Sequence, residues 1–474
     1  MSYVTQATGY WFLLFFGIVI TWFTYYFSKK QNWQTKEGFL LANRKVGWIL
    51  GGFSIASSWI WAPALFISVE SAYQQGLAGI FWFTLPNILA LLIFAIFAPK
   101  IRAQLPDGYT FTQYIKHRLQ SERVHKIFLF PYLFYQLMAV VVQLFAGGNL
   151  LSLLTGIPLT TLMPILAGIV LIYTTISGFQ ASIVTDFLQL GVIYIIGIII
   201  LPLAWNAAGG ISTISGGLHG IQHIGNIFDP GVAFSFGIVT SIGLLAGSIS
   251  DQSNWQRAFA IKKGMVVKAF IFGSILFAIV PLALSTLGFL AANPALNITL
   301  PTGIDSAMIG VQTVAELLPT WAVSLFVIML LAGLSSALDA GLSAASSLWV
   351  TDIAKPKDDK EAIKSARHSM LGITILGLGI SLAAVYIPNF GLKQLWWIFN
   401  TVAACIAVPT VLSLYWKNLS EKGVFWGVLI SFTVGIPLFI YSNIINNPTW
   451  IVGSSLLIIA ISTLFCLIIP KKVP

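Results

Sequence analysis

The sequence predicts an all-α protein that crosses a membrane many times. Of its 474 residues, 57% are hydrophobic and only 8% are charged, whereas soluble domains carry about 25% charged residues. Apolar runs of about twenty residues, the length of a helix that spans a bilayer, recur along the chain. We therefore expect a polytopic protein of the plasma (inner) membrane, in contact with lipid along most of its length and with almost no soluble part.

The apolar runs number thirteen, and the charge between them predicts how they are oriented. They lie near residues 9–27, 47–72, 79–98, 127–155, 159–177, 183–204, 232–249, 265–292, 320–350, 369–387, 394–416, 423–442 and 449–469. Every one of the 25 Lys and Arg residues except Lys393 falls in alternate connecting loops. Because positive charge is retained in the cytoplasm, we expect the N-terminus outside and the C-terminus inside. The net charge of +10 thus indicates topology rather than a nucleic-acid partner.

The second span carries a helix breaker in its middle. Pro63 cannot donate a helical hydrogen bond and clashes with the preceding turn, and Trp59 and Trp61 lie beside it, away from the interface that tryptophan prefers. A break at the midplane would free carbonyl groups for a cation and expose side chains to a solute. An ordinary proline kink is the structural alternative.

The spacing of irregular spans predicts an inverted repeat. The seventh span is short and contains Gly237, Gly243 and Gly247, it lies five spans after the second, and it runs in the opposite direction. Two such halves, each opened by a broken helix, are typical of secondary transporters. We expect one transmembrane domain over 1–474, with a first repeat at 46–204, a second at 231–416, and peripheral helices at 1–45 and 417–474.

The ninth span carries a polar face. Ala332, Ser335, Ser336 and Asp339 have helical spacing and share one side. A charge at membrane depth costs at least about 2.5–3.5 kcal/mol, so a cation or proton is the expected partner of Asp339. The structural alternative is that these hydroxyl groups hydrogen-bond to their own helix and that Asp339 lies in water at the helix end.

Three spans contain acidic residues, namely Glu70, Asp186 and Asp339, and none of these spans offers a Lys or Arg to neutralise them. We expect Glu70 to lie in water at the outer end of its span. The other two acids, which belong to different spans, suggest a cation pathway.

Several segments resemble the sodium:solute symporter family, whose members share the inverted-repeat fold of the bacterial leucine transporter. The resemblance covers nearly the whole length, including the thirteen-span pattern. It rests on Ser177-Gly-Phe-Gln-Ala with Thr185-Asp186 and Gln189, on Asp251-Gln-Ser-Asn-Trp-Gln-Arg-Ala-Phe259, and on Ala332 with Ser335-Ser336 and Asp352-Ile353.

The resemblance implies a sodium site where the second and ninth spans meet. Its expected ligands are the carbonyl groups of Ala56, Trp59 and Ala332 and the hydroxyl groups of Ser335 and Ser336. Some members hold a second sodium with an aspartate that matches Asp186 and with hydroxyls one turn along the ninth span. Leu338 and Asp339 replace those hydroxyls here. Asp186 and Asp339 are therefore the candidates for a second cation or for a proton.

Within the family, three segments look like the active urea transporters: Ser58-Trp-Ile-Trp-Ala, Gly79-Ile-Phe-Trp82, and Pro106 with Thr110-Phe111. The likeness suggests urea, although an aromatic pocket also suits proline or, by cation–π attraction, a quaternary ammonium. The expected solute-binding residues are Ser58, Trp59, Trp61, Pro63, Phe234, Phe236, Trp397 and Asn400.

Together these features predict a symporter that imports a small polar solute with sodium by alternating access. A proton is the alternative coupling ion. A channel would not need the cation ligands, and a membrane sensor would need a separate signalling partner. No nucleophile–base pair, nucleotide motif or metal-ligand cluster predicts an enzyme. We expect the protein to act as a monomer.

Overall fold

The computed structural model describes residues 3–29, 33–387 and 390–471, and these ranges are largely helical. The described residues form no β-sheet, only a single bridge between Val46 and Ile261. The helices are α1 (Gln6–Ser28), α2 (Lys36–Leu41), α3 (Trp48–Trp59), α4 (Pro63–Gln104), α5 (Phe111–Leu119), α6 (Glu122–Thr155), α7 (Leu159–Ser177), α8 (Phe179–Ala207), α9 (Pro230–Ser250), α10 (Gln252–Ala260), α11 (Val266–Ala292), α12 (Ile309–Leu317), α13 (Thr320–Ala354), α14 (Asp359–Ala384), α15 (Leu392–Tyr415), α16 (Glu421–Ile444) and α17 (Pro448–Ile468).

Twelve helices of the described ranges are long and apolar enough to cross a membrane. The longest, α4, contains Gly76 at φ 60°, a backbone conformation that favours glycine. This turn divides α4 at the place where the sequence separates the second and third spans. The count of thirteen and the orientation of the termini stay predictions, and residues 1–2, 30–32 and 472–474 of the expected peripheral parts lie outside the described residues.

The second span is broken next to its proline, as the sequence predicts. Helix α3 ends at Trp59, and Ile60 has a non-helical ψ of 72°. The chain becomes helical again at Ala62, and a π-helical turn at Pro63–Ile67 opens α4. Because the last carbonyl groups of a helix have no partner within it, the break provides acceptor groups in the interior of the protein.

The seventh span differs from the expectation, because α9 is continuous. Its irregularity is a π-helical turn at Ala233–Gly237 that keeps helical dihedral angles at both ends. The glycines that follow allow close packing. A Cβ atom on Gly243 would lie 2.8 Å from the Cβ of Asn400, and one on Gly247 would lie 2.9 Å from the hydroxyl of Tyr135. These glycines therefore serve helix contacts rather than a break.

Helix α13 lies at the centre of the molecule. Every residue from Met329 to Leu348 is buried, although this stretch carries five serines and an aspartate. Helices α3, α6, α7 and α8 pack around it. Polar side chains inside a membrane bundle face one another rather than lipid, so this packing determines which groups Asp339 and the serines can contact.

Candidate functional site

Asp186 on α8 is fully buried and is held by three other helices. The hydroxyl of Ser54 on α3 donates to its carboxylate over 2.5 Å, and that of Ser336 on α13 donates over 2.6 Å. The guanidinium of Arg257 on α10 lies 3.0 Å from the same carboxylate. The expectation that Asp186 has no basic partner is therefore wrong. Arg257 comes from the segment after the seventh span, which the charge pattern assigns to a loop.

The sequence of α10 explains how an arginine becomes buried here. Asp251 caps the helix by accepting a hydrogen bond from the backbone N–H of Ser253 over 2.8 Å, and every residue of Gln252–Ala260 is buried. Arg257 also donates to the hydroxyl of Ser54 over 2.9 Å and to the carbonyl of Ser253 over 3.1 Å. A buried charge is tolerated when it is paired and hydrogen-bonded in this way. The polar run Gln-Ser-Asn-Trp-Gln-Arg is the sequence signal for such a helix.

Asp339 on α13 is also fully buried, and its surroundings are different. The hydroxyls of Tyr173 on α7 and Ser182 on α8 each lie 2.8 Å from its carboxyl oxygens, and that of Thr185 lies 3.3 Å away. None of the ion pairs found among the described residues includes Asp339. The alternative in which it lies in water is excluded, since its exposure is 0%.

The predicted sodium ligands lie on the two helices that meet at the break. Ser57 and Ser336 share a hydrogen bond of 2.8 Å, which joins α3 to α13. A Cβ atom on Gly333 would lie only 3.2 Å from the carbonyl oxygen of Ile60, so a larger residue would keep the helices apart. Trp59 is the last residue of α3, and its carbonyl therefore belongs to the group that has no partner within a helix.

The other groups of this set already have protein partners. The hydroxyl of Ser335 donates to the carbonyl of Ala332 over 3.0 Å and accepts from the amide of Gln189 over 2.9 Å. The carbonyl of Ala56 accepts from the N–H of Ile60 over 2.8 Å. Carbonyl and hydroxyl oxygens are hard ligands that suit a small hard cation. The carbonyl oxygen of Ala56 and the hydroxyl oxygen of Ser335 each retain a lone pair for an ion.

A small internal cavity adjoins the break. It encloses about 20 Å³, which is room for about one water molecule. Ser58, Trp59 and Trp61 line it, as the sequence predicts. The further lining residues, which sequence reasoning missed, are Tyr135, Gln136, Ala139, Gln143, Asp251, Ser253, Ala337, Ala340, Gly341 and Phe399.

Two buried donors at this cavity lack a hydrogen-bond partner among the described residues. They are the indole N–H of Trp61 and the side-chain amide nitrogen of Gln143. The amide oxygen of Gln143 accepts from the backbone N–H of Ala62 over 2.9 Å, so the break itself orients this amide. A buried donor without a partner costs about 1–3 kcal/mol, and where such a donor lines a cavity it is a candidate contact for a polar ligand.

The other predicted solute residues do not line this cavity. The side chain of Phe234 is 40% exposed, because it lies in the outer π-helical turn of α9. The indole N–H of Trp397 donates to Thr240 over 3.3 Å. Asn400 lies behind the cavity wall, where its side-chain oxygen accepts from the hydroxyl of Tyr135 over 3.4 Å. Pro63 begins α4, and the ring of Phe236 lies 6.1 Å from that of Trp397.

Glu70 differs from its expectation as well. It is only 4% exposed and does not lie in open water. Its carboxylate accepts from the hydroxyl of Ser306 over 2.5 Å and lies 3.8 Å from the ammonium group of Lys393. These groups line a cavity of about 660 Å³. Lys393, the one basic residue on the predicted outer side, thus partly neutralises Glu70.

A family comparison agrees with this arrangement of a broken helix against a polar central helix. The model of the sodium:solute symporter family matches residues 39–431. The chain belongs to the sodium:solute symporter family. This confirms the resemblance in the sequence, and it makes the protein a transporter of the plasma membrane rather than an enzyme.

Individual relatives of this symporter are distant. A probable urea active transporter of Schizosaccharomyces pombe is 23% identical over 95% of this chain and 70% of its own length. A urea–proton symporter of Oryza sativa is 22% identical over 92% of this chain and 66% of its own length. The sodium/pantothenate symporter of Escherichia coli is 24% identical, covering 88% of this chain and 86% of its own length. The chain thus spans about two thirds of the length of the first two.

Solved structures confirm the fold. A Na⁺-coupled sialic acid symporter in a substrate-bound outward-open state superposes with a TM-score of 0.75 over 100% of both chains, at 16% identity. Mhp1, a nucleobase-cation-symport-1 family transporter, superposes with a TM-score of 0.55 at 13% identity, covering 91% of this chain and 95% of its own. The all-helical transporter fold expected from the sequence is therefore confirmed.

Proposed function

We propose that this symporter imports a small polar solute of the urea class together with sodium. The observation that carries the proposal is the cavity at the break, with its two unpartnered donors on Trp61 and Gln143. Two N–H groups from the wall of one small cavity suit one carbonyl oxygen, which has two lone pairs. The carboxylate of Asp251, which lines the same cavity, suits the N–H groups of such a solute.

The size of the cavity supports a compact solute. The cavity of about 20 Å³ has room for about one water molecule, so it has to widen less for a molecule as small as urea than for a sugar or pantothenate. Names of the relatives agree with this class, since a probable urea active transporter and a urea–proton symporter are among them.

Sodium is the proposed coupling ion because of the ligand set between α3 and α13. In the proposed cycle, sodium binds the carbonyls of Ala56, Trp59 and Ala332 and the hydroxyls of Ser335 and Ser336, and it thereby holds α3 against α13. The solute then binds in the adjacent cavity. Because the two sites share Trp59, occupation of one favours the geometry of the other, and this coupling is the basis of symport.

The first test measures solute binding by thermal stabilisation of the purified protein, with urea, proline, choline and a sugar, each with sodium and with potassium. Trp61→Phe keeps the ring and removes the unpartnered N–H. We expect the affinity for urea to fall about tenfold, the effect of one hydrogen bond of about 1.4 kcal/mol.

Trp396→Phe is the matched control, because the indole N–H of Trp396 is also buried without a partner but lies away from the cavity. An equal loss in both variants would contradict the assignment of the cavity. Stabilisation by choline or proline but not by urea would replace the proposed solute class.

The second test concerns the ion. Ser335→Ala removes one proposed sodium ligand, and we expect it to abolish the sodium dependence of solute stabilisation. Ser346→Ala is the control, because the hydroxyl of Ser346 is buried on the same helix and, within the described part of the chain, bonds only to the carbonyl of Ser343 over 2.7 Å. Sodium dependence that survives in Ser335→Ala as it does in Ser346→Ala would exclude this site.

A further inference from the structure

Three hydroxyl groups on the C-terminal half of α13 are buried and have no hydrogen-bond partner among the described residues. They belong to Ser343, Ser347 and Thr351, whose side chains are exposed by no more than 7%. Residues four apart in a helix are neighbours on one face. The three hydroxyls therefore form a continuous hydroxyl stripe along α13.

Helix packing alone does not account for the hydroxyl stripe. A serine inside a helix can bond to a carbonyl of the preceding turn, as Ser346 does to Ser343 over 2.7 Å. Small residues allow helices in a membrane to approach closely, but alanine would do so without burying a polar atom. A buried polar atom without a partner is destabilising. A role in binding therefore explains the stripe better than a role in packing.

Helix α10, which packs against α13, also contains buried oxygen atoms that have no partner in the described part of the chain. They are the amide oxygens of Asn254 and Gln256. The amide nitrogen of Asn254 donates to the carbonyl of Ser248 over 3.2 Å, and that of Gln256 donates to the carbonyl of Leu40 over 2.7 Å. Because these bonds orient both amides, the unpartnered atoms are acceptors.

The hydroxyl stripe ends at a cavity of about 450 Å³, the inner cavity, which Thr351 and Asp352 line. The Nε2 atom of His125 lies 2.6 Å from one carboxylate oxygen of Asp352. The other carboxylate oxygen is buried and has no partner within the described ranges. Lys116 and Lys355 also line the cavity, and the charge pattern assigns both to the cytoplasmic side. The stripe thus leads towards the predicted cytoplasm.

The other end of the stripe lies close to the proposed sodium ligands. Ser343 follows the ligand Ser336 by seven residues, which is about two helical turns, and therefore shares its face. At a rise of about 1.5 Å per residue, Thr351 lies about 22 Å further along the helix than Ser336. One face of α13 therefore connects the proposed sodium site with the inner cavity.

The unpartnered groups of the stripe differ in kind from those of the solute cavity. At the solute cavity they are the N–H donors of Trp61 and Gln143, which suit a carbonyl oxygen. Along the stripe, on α10 and at Asp352 they are oxygen atoms. Hydroxyl, amide and carboxylate oxygens are the ligands that hard cations take. The chemistry of this region therefore suits an ion rather than the solute.

We propose that sodium leaves its site along the hydroxyl stripe of α13 and reaches the cytoplasm through the inner cavity at Asp352. The hydroxyl oxygens replace part of the hydration shell of the ion as it passes, and the unpartnered carboxylate oxygen of Asp352 attracts it at the exit. This inference rests on the proposed function, since that function names sodium as the coupling ion.

The contacts of α10 indicate how the path opens. The guanidinium of Arg257 on α10 donates to the hydroxyl of Ser54 on α3 over 2.9 Å, so we expect these two helices to move together. When they move away from α13 as the protein opens inward, the sodium ligands separate and the stripe becomes accessible in the same step. Bound sodium, which holds α3 against α13, therefore keeps the path closed.

The first test measures how fast single cysteines in the purified protein react with a small cationic thiol reagent. Ser343→Cys and Ser347→Cys place a thiol on the stripe, and Ser346→Cys is the matched control on the same buried helix. The wild type gives the background of the two native cysteines, which are buried. We expect the stripe cysteines to react and the control to stay unreactive. Sodium, but not potassium, should slow the reaction at least about fivefold, the lower end of usual coupling between sites.

The second test uses Ser347→Ala, which removes a stripe hydroxyl but no proposed sodium ligand. We expect sodium-dependent stabilisation by urea to be unchanged, while sodium enters proteoliposomes more slowly during urea uptake. The thermal unfolding midpoint should not fall, because no hydrogen bond is lost. In Ser346→Ala, which loses the bond to Ser343, we expect a lower midpoint and an unchanged rate of sodium entry.

The outcomes separate a failure of the path from a failure of the proposed function. Stripe cysteines that react no faster than Ser346→Cys, or whose reaction sodium does not slow, would overturn the path. An unchanged rate of sodium entry in Ser347→Ala would overturn it as well. Stripe cysteines that sodium protects, in a protein that urea does not stabilise, would support the path and overturn the proposed solute.

Discussion

Asp186 and Asp339 are both fully buried acids on neighbouring central helices, yet their partners are of opposite kinds. Asp186 lies beside the fixed positive charge of Arg257, whereas Asp339 contacts only hydroxyl groups in the described structure. A permanent counter-charge keeps a carboxylate ionised. Hydroxyl groups can donate to it or accept from it. The first arrangement fixes the helices in place, and the second allows a change of protonation.

The largest expected effect that separates the two sites comes from Arg257→Met. It leaves Asp186 as a buried charge without a partner, which typically costs about 3–5 kcal/mol. We expect a large fall in the thermal unfolding midpoint of the purified protein in detergent. The double variant Arg257→Met with Asp186→Asn removes both charges, and much of the loss should be recovered. A double variant as unstable as the single one would show that the pair is not a charge-compensated unit.

Replacing each acid alone also tests the difference between a carboxylate with an ion-pair partner and one without. Asp186→Asn leaves Arg257 buried without its counter-charge, and we expect a loss of about 3–5 kcal/mol. Asp339→Asn replaces a carboxyl group that has no ion-pair partner among the described residues by an amide of the same shape, and we expect a loss of no more than about 1 kcal/mol. Both are measured as shifts in the thermal unfolding midpoint. Equal losses would mean that Asp339 is ionised in the folded protein.

The smallest expected effect compares the serine that bonds each acid. Ser54→Ala removes a hydroxyl that donates to Asp186 and accepts from Arg257, and bonds to charged groups are worth about 1.5–3 kcal/mol. Ser182→Ala removes a hydroxyl bonded to Asp339, which has no ion-pair partner among the described residues, and we expect the loss of an ordinary hydrogen bond, about 0.5–1.5 kcal/mol. A larger loss in Ser182→Ala than in Ser54→Ala would reverse the charge assignment of the two sites.

Local chemistry made part of this molecule predictable. Apolar runs predicted the membrane-spanning helices, and Pro63 predicted the helix break beside Trp59. Helical spacing predicted that Ser335 and Ser336 lie on the buried face of α13. Each of these features depends on neighbouring residues in the chain. The glycines of the seventh span show the limit of such inference, because their role depends on Asn400 and Tyr135, which approach from other helices.

Partners from distant segments could not be inferred from one sequence. Arg257 is 71 residues from Asp186, and the rule that assigns basic residues to cytoplasmic loops conceals an arginine that turns back into the bundle. Gln143 is 81 residues from Ala62, the residue it contacts at the break. Such pairs arise from the packing of helices against one another, and the hydropathy of the chain does not predict which residues of two helices will be in contact.

The ion pair of Arg257 with Asp186 also bears on how the transporter responds to the membrane potential. A potential of 100 mV does about 2.3 kcal/mol of work on one elementary charge that crosses it, but almost none on a neutral pair whose two charges move together. The pair therefore adds little gating charge of its own. Voltage dependence of the transport current should then report the charge of the coupling ions rather than that of this pair.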